Sequence, residues 1–364
     1  MKKSGFLAVL CLLLTLPVAA LGDIGFAEVK KDNVNMRREP GGKAIMQVDA
    51  PQSVFVAEEK QKDGYLWCHV YTIRGKNTEQ GWIRGNMLRF VSDEFTDIVS
   101  VQAGNHYVTG VRRDGTVAIL GDDMPHMPCI ETVRRWRNVV KTESETCSVY
   151  ALDQSGKVLS VGRNNQYGTW QAADISGNEP VLLDENGCIL EDTWWNHDYL
   201  DRVYPESARG VSFAEVAPLE RCVRAGLTRE GQILCFGADA SLAEAFVNGP
   251  YTDMDMYFYH LAALRADGKV DAAIRVNAYM PEESESACNV DAWENVIQVA
   301  AGIRHTLGLK ADGTVYYAGD DVRHKTEVES WSGIVQIDAG NGYSIALKND
   351  GSVVMAGAYK DYFR

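Results

Sequence analysis

Residues 293–319 read WENVIQVAAGIRHTLGLKADGTVYYAG, and this stretch decides the fold of most of the chain. A first apolar run ends in small residues, a second run follows, and Asp312-Gly313 separates the second run from a third. Asp-Gly supplies the positive φ angles that a two-residue hairpin turn requires, so the pattern predicts a three-stranded antiparallel meander. One meander cannot bury both of its faces, and it therefore needs copies of itself.

The chain supplies these copies in a regular register. Seven glycines stand at the predicted hairpin turns: Gly115, Gly156, Gly187, Gly231, Gly268, Gly313 and Gly351. An aromatic residue precedes each glycine by 17 to 20 positions: Phe95, Trp136, Trp170, Phe213, Tyr251, Trp293 and Trp331. The third to fifth copies are degenerate, but they keep both the aromatic residue and the glycine.

Short strands at a period of about 40 residues indicate propeller blades, because a helical solenoid would show a 3.6-residue pattern instead. The first run of a well-kept copy is apolar on consecutive residues and ends in Ala-Gly, as at Ala301-Gly302. That pattern is typical of an innermost strand buried on both faces. We therefore predict an all-β protein with a seven-bladed β-propeller over residues 94–364. The variable segments between copies are expected to supply each blade's outer strand and the loops.

The repeated motif W-x-N-V/I, A-A-G, H-T-x-x-L and D-G-x-V resembles the regulator of chromosome condensation repeat. The resemblance spans residues 94–364 and implies the propeller fold. It implies no single activity, because one fold hosts unrelated functions. Exported bacterial relatives include a propeller inhibitor that grips β-lactamase, so the resemblance implies a role in protein-protein contact.

The N-terminus reads MKKSGFLAVLCLLLTLPVAALG, with two lysines, an apolar run and a small-residue end. The apolar run is shorter than the ~20 residues that span a bilayer, which predicts a secretory signal peptide over residues 1–22. Cleavage after Ala20 and cleavage after Gly22 both fit. The mature protein is then expected to be secreted or associated with the cell surface or cell wall, with no membrane span.

Composition limits the possible partners. Loss of Lys2 and Lys3 with the signal peptide takes the formal net charge from −14 to −16. A surface this acidic repels phosphates, so no nucleic acid partner is expected. Seven cysteines remain without CxxC spacing, which indicates neither a zinc site nor a disulfide scaffold, although one or two disulfides stay open.

Residues 23–93 alternate short apolar runs with Gly, Pro, Asp and Asn, which predicts a small all-β barrel. Three motifs stand out: Val34-Asn35-Met36-Arg37 with Pro40, Trp67-Cys68-His69-Val70, and Gly81-Trp82-Ile83. Together they resemble the bacterial Src-homology-3-like domain. That resemblance implies a binding module of exported and cell-wall proteins, often for the peptide parts of peptidoglycan.

Aromatic rings suit such a ligand, because they offer a large contact area at low entropy cost. Tyr65, Tyr71 and Trp82 are the candidate residues for this surface. The alternative is that Trp67 and Trp82 fill the barrel, which has little else to fill it. Arg37 is interpreted as a structural arginine that pairs with loop carbonyls.

Residues 191–209 read EDTWWNHDYLDRVYPESAR and belong to no core strand of the repeat. Binding energy at protein interfaces concentrates on Trp and Tyr, so a protein or carbohydrate contact is expected here. The candidate residues are Trp194, Trp195, His197, Tyr199 and Tyr204. The alternative is that Trp194 and Trp195 form an outer strand and pack on their own blade.

The residues give no indication of catalysis. No G-x-x-x-x-G-K phosphate loop is present, and Asp122-Asp123 lacks the alternating oxygens of a calcium loop. His260 and His305 stand at matching positions of their repeats, where Tyr107 and Tyr343 stand in others, which indicates a structural hydrogen-bonding role. We therefore predict a protein that is not an enzyme and has neither a metal nor a cofactor.

The sequence supports three functional hypotheses, in descending order. The first is an exported, non-enzymatic binding protein whose propeller loop face engages a protein partner. The second is recognition of peptidoglycan or cell-wall peptides by the N-terminal barrel, with the propeller as an adaptor. The third is a glycan-active enzyme with carboxylates at the mouth of the propeller channel.

Overall fold

In a computed structural model the chain is all-β, with strands in antiparallel sheets. Within the described residues, one seven-stranded sheet comes first and seven smaller sheets follow. The residues that the structure describes are 25–50, 52–74, 77–105, 107–121, 129–145, 148–162, 170–177, 181–190, 206–219, 222–275 and 282–357.

The first sheet, called the N-terminal sheet, contains seven strands: β1 Gly25–Val29, β2 Val34–Arg37, β3 Ala44–Val48, β4 Ser53–Lys62, β5 Tyr65–Arg74, β6 Asn77–Arg84 and β7 Leu88–Phe90. Their order across the sheet is β3-β2-β6-β5-β4-β1-β7. Cys68 and Val70 belong to its apolar core. Because side chains alternate along a strand, Trp67, His69 and Tyr71 lie on the other side of β5.

The seven smaller sheets are the blades. Their first strands are β8 Ile98–Ala103, β11 Val139–Glu145, β14 Asp174–Ser176, β16 Phe213–Leu219, β19 Tyr251–Tyr257, β22 Val296–Ala301 and β25 Ile334–Ala339. Their second strands are β9 Tyr107–Arg112, β12 Ser148–Asp153, β15 Val181–Leu183, β17 Cys222–Thr228, β20 His260–Arg265, β23 His305–Lys310 and β26 Tyr343–Lys348. Six blades have a third strand: β10 Val117–Gly121, β13 Val158–Gly162, β18 Ile233–Cys235, β21 Val270–Ile274, β24 Val315–Gly319 and β27 Val353–Gly357.

The blades form a closed ring. Their first strands contact one another in chain order, and β25 of the last blade contacts β8 of the first. At this seam the Tyr343 hydroxyl donates to the carbonyl oxygen of Gly104 at 2.8 Å. A Cβ on Gly340 would lie 2.6 Å from the same oxygen, so a small residue is needed where the backbones approach. This arrangement is consistent with the predicted propeller.

The blade hairpins differ from the predicted two-residue turn. Gly313 has a φ of +79°, whereas Asp312 is not among the residues with positive φ. The N–H of Gly313 donates to Lys310 O and the N–H of Lys310 donates to Thr314 O, both at 2.9 Å, which closes a three-residue loop. The two-residue form does occur in the N-terminal sheet, at Asp63-Gly64, where φ is +53° and +74°.

Short helices replace the predicted outer strands where the structure describes the segments between blades. α1 (Val91–Glu94) precedes the first blade, α2 (Cys129–Val133) follows it, and α3 (Val322–Glu329) follows the sixth. α3 buries His324 and Val328 and packs on β24 and β27. His324 and Val328 are four positions apart and therefore share one face of α3, and the helix packs on the two blades with this face.

The N-terminal sheet packs on the outside of the ring at the seam. Its strand β1 contacts β10 and β27, the third strands of the first and last blades. The buried carboxylate of Glu28 accepts a hydrogen bond from Arg134 at 2.6 Å, and Arg134 also lies 3.5 Å from Glu94. Glu28 belongs to the sheet and Arg134 follows α2 in the ring, so this largely buried ion pair links the sheet to the ring.

Candidate functional site

Aromatic and cationic side chains cover the side of the N-terminal sheet that faces away from its core. In the β5–β6 ladder Trp67 lies opposite Arg84, and His69 lies opposite Trp82. The guanidinium carbon of Arg84 lies 3.9 Å from the ring centroid of Tyr65, and the Trp82 and His69 rings are 5.1 Å apart. Tyr65 is 43% exposed and Trp82 is half-buried, so both predicted ligand residues remain partly open to solvent.

Tyr71 has a different environment. Its ring packs against the apolar cluster that contains Phe95 and Leu120 of the first blade, together with Ala57 of the N-terminal sheet. Tyr71 is therefore part of the contact between this sheet and the ring. It is half-buried there, although the sequence groups it with Tyr65 and Trp82.

A groove lies beside Tyr65, and its volume is about 220 Å³. Its described lining residues include three cations and no carboxylate: Lys31, Asn33, Val34, Asn35, Arg37, Trp67, Arg84 and Met87. Trp67 is only 2% exposed, and its Nε1–H has no hydrogen-bond partner within the described residues. Arg37 donates to the carbonyl oxygen of Gly42 at 2.6 Å, which confirms its predicted structural role.

The predicted aromatic loop lies outside the described residues. Trp194, Trp195, His197, Tyr199 and Tyr204 all fall within residues 191–205. The description resumes at a 3-10 turn, Glu206–Ala208, and Ala208 joins the apolar core of the fourth blade. The contact expected at this loop stays a prediction.

The first strands of the blades line a central channel of about 190 Å³. Polar residues alternate with buried apolar ones along these strands; in β19, Asp253 and Asp255 line the channel between the largely buried Met254 and Met256. The prediction of innermost strands buried on both faces concerns the well-kept copies, and it is wrong for β25, where Gln336 and Asp338 line the channel. A signal was present, because polar residues recur at every second position of YTDMDMY and IVQIDA.

The polar side chains of the channel bind the backbone of the adjacent blade. Asp253 accepts a hydrogen bond from Val299 N at 2.8 Å, and Asp255 accepts one from Ala301 N at 2.7 Å. The innermost strand of a blade is an edge strand, whose N–H groups need partners from outside the sheet. The other side chains that bond to an adjacent first strand are Gln298, Gln336, Asp338, Ser176 and Glu215.

The channel carboxylates are held in an environment that disfavours their charge. Burial raises the pKa of Glu143 to about 7, and it raises the pKa of Asp253 to about 7 and that of Asp255 to about 6. Burial and neighbouring carboxylates also raise the pKa of Glu215 and Asp338 well above their usual values. The channel therefore takes up protons near neutral pH.

The recurring histidines are buried between blades, as predicted for structural hydrogen bonds. Nε2 of His260 lies 2.7 Å from Oγ1 of Thr306, and Nε2 of His305 lies 3.0 Å from Oγ of Ser344. His324 of α3 lies 2.8 Å from the same Ser344 hydroxyl. Burial lowers the pKa of His260 and His324 to about 4, and it lowers the pKa of His305 well below its usual value.

Metal ligands and reactive thiols are not apparent in the described part of the chain. No group of three or more His, Cys, Asp or Glu is placed there to hold a metal ion. Cys188, Cys235 and Cys288 are free thiols. Burial raises the pKa of Cys235 and Cys288 to about 12, which keeps both thiols protonated. No described helix is long and apolar enough to cross a membrane.

Four exposed aliphatic residues form a crescent around one end of the channel. Val99, Val140, Ile297 and Val335 are 44–55% exposed, and each stands at a register shift at the start of its blade's first strand. These strands belong to the sixth, seventh, first and second blades, which are consecutive around the ring. Side chains that repeat in this way lie at the same end of the ring, so four consecutive blades each present one exposed aliphatic residue there.

Comparison with known proteins bears on the repeat and on the fold. The family model of the regulator of chromosome condensation (RCC1) repeat matches residues 296–324. No curated protein matches the chain. Among solved structures, Prp20p from Saccharomyces cerevisiae is 14% identical with a TM-score of 0.47, covering 73% of this chain and 84% of its own.

The CRINKLY WD40 ectodomain of the Arabidopsis thaliana receptor kinase ACR4 is 12% identical with a TM-score of 0.38, covering 82% of this chain and 95% of its own. The C-terminal domain of gp131 from bacteriophage phiKZ is 14% identical with a TM-score of 0.41, covering 75% of this chain and 95% of its own. Identities and TM-scores this low carry no information about what this chain binds. Residues 296–324 are thus similar to one RCC1 repeat, in an all-β chain of antiparallel sheets.

Proposed function

We propose that this chain is an exported, non-enzymatic binding protein whose ring engages a protein partner. The observation that carries the proposal is the aliphatic crescent of Val99, Val140, Ile297 and Val335, which four consecutive blades expose at one end of the channel. Exposed aliphatic side chains that recur at one end of a folded ring offer a partner several apolar contacts on one side of the protein.

The residues that the blades share support the same proposal. Asp253 and Asp255 are bonded to the backbone of the next blade, and His260 and His305 are buried between blades. These groups stabilise the ring, so they are not the groups that meet a partner. The sequence adds the aromatic loop of residues 191–209, which belongs to no core strand of the repeat, as a second candidate contact.

Partner capture should fall at least tenfold when Ile297→Ser and Val335→Ser are combined, because the change removes two of the four apolar anchors and binding energy concentrates on a few anchors. The measurement is a pull-down from the surface fraction of the native host, with the captured protein quantified. Both side chains are about half exposed, so the melting temperature should move by no more than a few degrees.

The aromatic loop is assayed in the same pull-down with Trp194→Ala plus Trp195→Ala. Loss of capture with an unchanged melting temperature would assign the loop to the partner site. A large fall in the melting temperature would instead show that Trp194 and Trp195 pack on their own blade. Tyr65→Ala plus Trp82→Ala in the N-terminal sheet is the matched control and should leave capture unchanged. Full capture by both ring variants would contradict the proposal.

The second candidate function is recognition of cell-wall peptides by the N-terminal sheet, which we infer to be a Src-homology-3-like barrel. The exposed Tyr65 ring beside Arg84, together with the half-buried Trp82, favours it. Rings that are held in place by neighbours offer contact area at low entropy cost.

Sedimentation of the full chain with purified cell wall tests this candidate. Tyr65→Ala plus Trp82→Ala should reduce the pelleted fraction severalfold, because both rings leave the surface. The Ile297→Ser, Val335→Ser variant should pellet like the unaltered chain. If all three proteins pellet to the same extent, or if none of them pellets, the result would count against recognition by the N-terminal sheet.

A further inference from the structure

Trp67 carries an unusual unpaired donor. Its side chain is almost completely buried and lines the groove, yet its Nε1–H has no acceptor among the described residues. Buried polar groups are nearly always hydrogen-bonded, so an orphaned donor requires an explanation. The Trp67 ring also lies outside the apolar core of the N-terminal sheet, which includes its neighbour Cys68.

The groove has a charge opposite to that of the whole chain. The formal net charge of the protein is −14, but the described groove residues include Lys31, Arg37 and Arg84 and no carboxylate. Arg37 donates one of its N–H groups to the carbonyl oxygen of Gly42, and Lys31 and Arg84 are the other two cations that line the groove. A local cluster of positive charge on an acidic protein attracts an anion specifically to that place.

Arg84 is held over the aromatic rings. Its guanidinium carbon lies 3.9 Å from the ring centroid of Tyr65 and 5.3 Å from that of Trp67. A guanidinium stacked in this way keeps its N–H groups free for a planar acceptor, and carboxylate is the planar anion that matches its two-pronged geometry.

The size of the groove limits what else it admits. A volume of about 220 Å³ is below the ~300–1,000 Å³ of pockets that hold drug-sized ligands. The groove therefore accommodates a carboxylate with one or two small residues attached. Asn33 and Asn35, which also line it, offer amide groups to the peptide bonds of such a ligand.

We propose that this groove binds a peptide carboxylate, with the Arg84 guanidinium and the Trp67 indole N–H as its donors. The carboxylate comes from a peptide C-terminus or from an acidic side chain, and the two sources share the same chemistry. The proposal deepens the second candidate function, because it rests on the N-terminal sheet being a recognition module.

Isothermal titration calorimetry of the full chain tests the proposal with acetyl-Ala-Ala, its C-terminal amide, and acetyl-Asp-amide. At least one carboxylate probe should bind tenfold or more tightly than the uncharged amide, and added salt should weaken it. Arg84→Gln and Trp67→Phe should each weaken that binding about tenfold, the cost of one charge-assisted hydrogen bond. The stronger of the two carboxylate probes identifies the source of the carboxylate.

Arg38→Gln is the matched control, because the exposed Arg38 is not among the residues that line the groove, and this variant should bind the probes like the unaltered chain. Equal binding of acid and amide, no binding of either acid, or full binding by the Arg84→Gln variant would overturn the proposal. Arg84 is partly exposed, so this variant decides the matter even if Trp67→Phe fails to fold. Cell-wall sedimentation that persists without carboxylate binding would refute the carboxylate and leave the recognition module intact.

Discussion

Replacing Asp239 with asparagine is expected to lower the free energy of unfolding by about 3–5 kcal/mol, the usual cost of removing one partner from a buried ion pair. Asp239 is fully buried and accepts hydrogen bonds from Nε of Arg275 at 3.0 Å and from Nη2 at 2.9 Å. Arg275 is itself buried, so asparagine would leave its guanidinium without a counter-ion. Arg224, whose Nε lies 3.7 Å from Asp239, would lose the same partner.

The position of this pair explains why the loss should affect the whole ring. Asp239 lies in the 3-10 turn Gly237–Ala245 that follows the fourth blade, and Arg275 follows strand β21 of the fifth. Arg275 also donates to the carbonyl oxygen of Phe258 at 2.6 Å. The pair therefore joins consecutive blades, and breaking it weakens a contact that closure of the ring requires.

Urea denaturation followed by circular dichroism measures this effect. The matched control is Asp267→Asn, which removes an exposed aspartate that lies 2.6 Å from Arg265. Exposed ion pairs contribute about 0–1 kcal/mol, so this variant should unfold almost like the unaltered chain. If Asp239→Asn and Asp267→Asn lower the free energy of unfolding by similar amounts, burial does not determine the cost of removing an ion-pair partner. Asp239→Leu combined with Arg275→Met should recover part of the stability, because the double variant removes the buried guanidinium of Arg275 together with its counter-ion and leaves only the partly exposed Arg224 without this partner.

The repeat architecture is the part of the structure that the sequence predicts best. Gly313 and Gly351 both have positive φ, and the aromatic residues Phe95, Phe213 and Trp331 are buried in blade cores. These positions are predictable because each depends on local chemistry: a left-handed turn needs glycine, and a large ring needs burial. Seven repetitions make the pattern visible even where single copies have decayed.

Contacts between distant residues were not predictable in the same way. The groove brings together Lys31, Trp67 and Arg84, which are far apart in the sequence and adjacent only through the pairing of β2, β5 and β6. The unpaired Nε1–H of Trp67 is a property of that arrangement and has no sequence signal. The bonds from Asp253 and Asp255 to the next blade likewise depend on ring geometry, although their alternation along β19 was a usable sign.

Acidification from pH 6.5 to pH 4 is expected to lower the free energy of unfolding by about 3 kcal/mol through protonation of His260 in the unfolded chain. Burial lowers the pKa of His260 from its usual 6.5 to about 4 in the folded state, and each unit of difference corresponds to about 1.4 kcal/mol. Above pH 6.5 the imidazole of His260 is neutral in both the folded and the unfolded state, so its burial costs no stability. Below pH 6.5 His260 binds a proton in the unfolded chain but not in the folded chain, so the free energy of unfolding falls until the pH reaches the folded pKa.

The channel carboxylates act in the opposite direction over the same range. Glu143 has a folded pKa of about 7 against its usual 4.5, so its contribution to stability is lost as the pH rises between those values. The pH profile of the unaltered chain is therefore a difference between two opposing sets of groups. A profile of that protein alone would not identify either set.

Single variants separate the two sets. His260→Gln keeps a hydrogen-bonding side chain beside Thr306 but cannot titrate, so its loss of stability between pH 6.5 and pH 4 should be about 3 kcal/mol smaller than that of the unaltered chain. Glu143→Gln should instead stabilise the protein by about 3 kcal/mol at pH 8 and leave it unchanged at pH 4. Denaturant melts at four pH values measure both differences. A group that titrates alike in the folded and unfolded states adds no pH dependence to folding. Parallel stability profiles for all three proteins would therefore show that burial shifts the pKa of neither His260 nor Glu143.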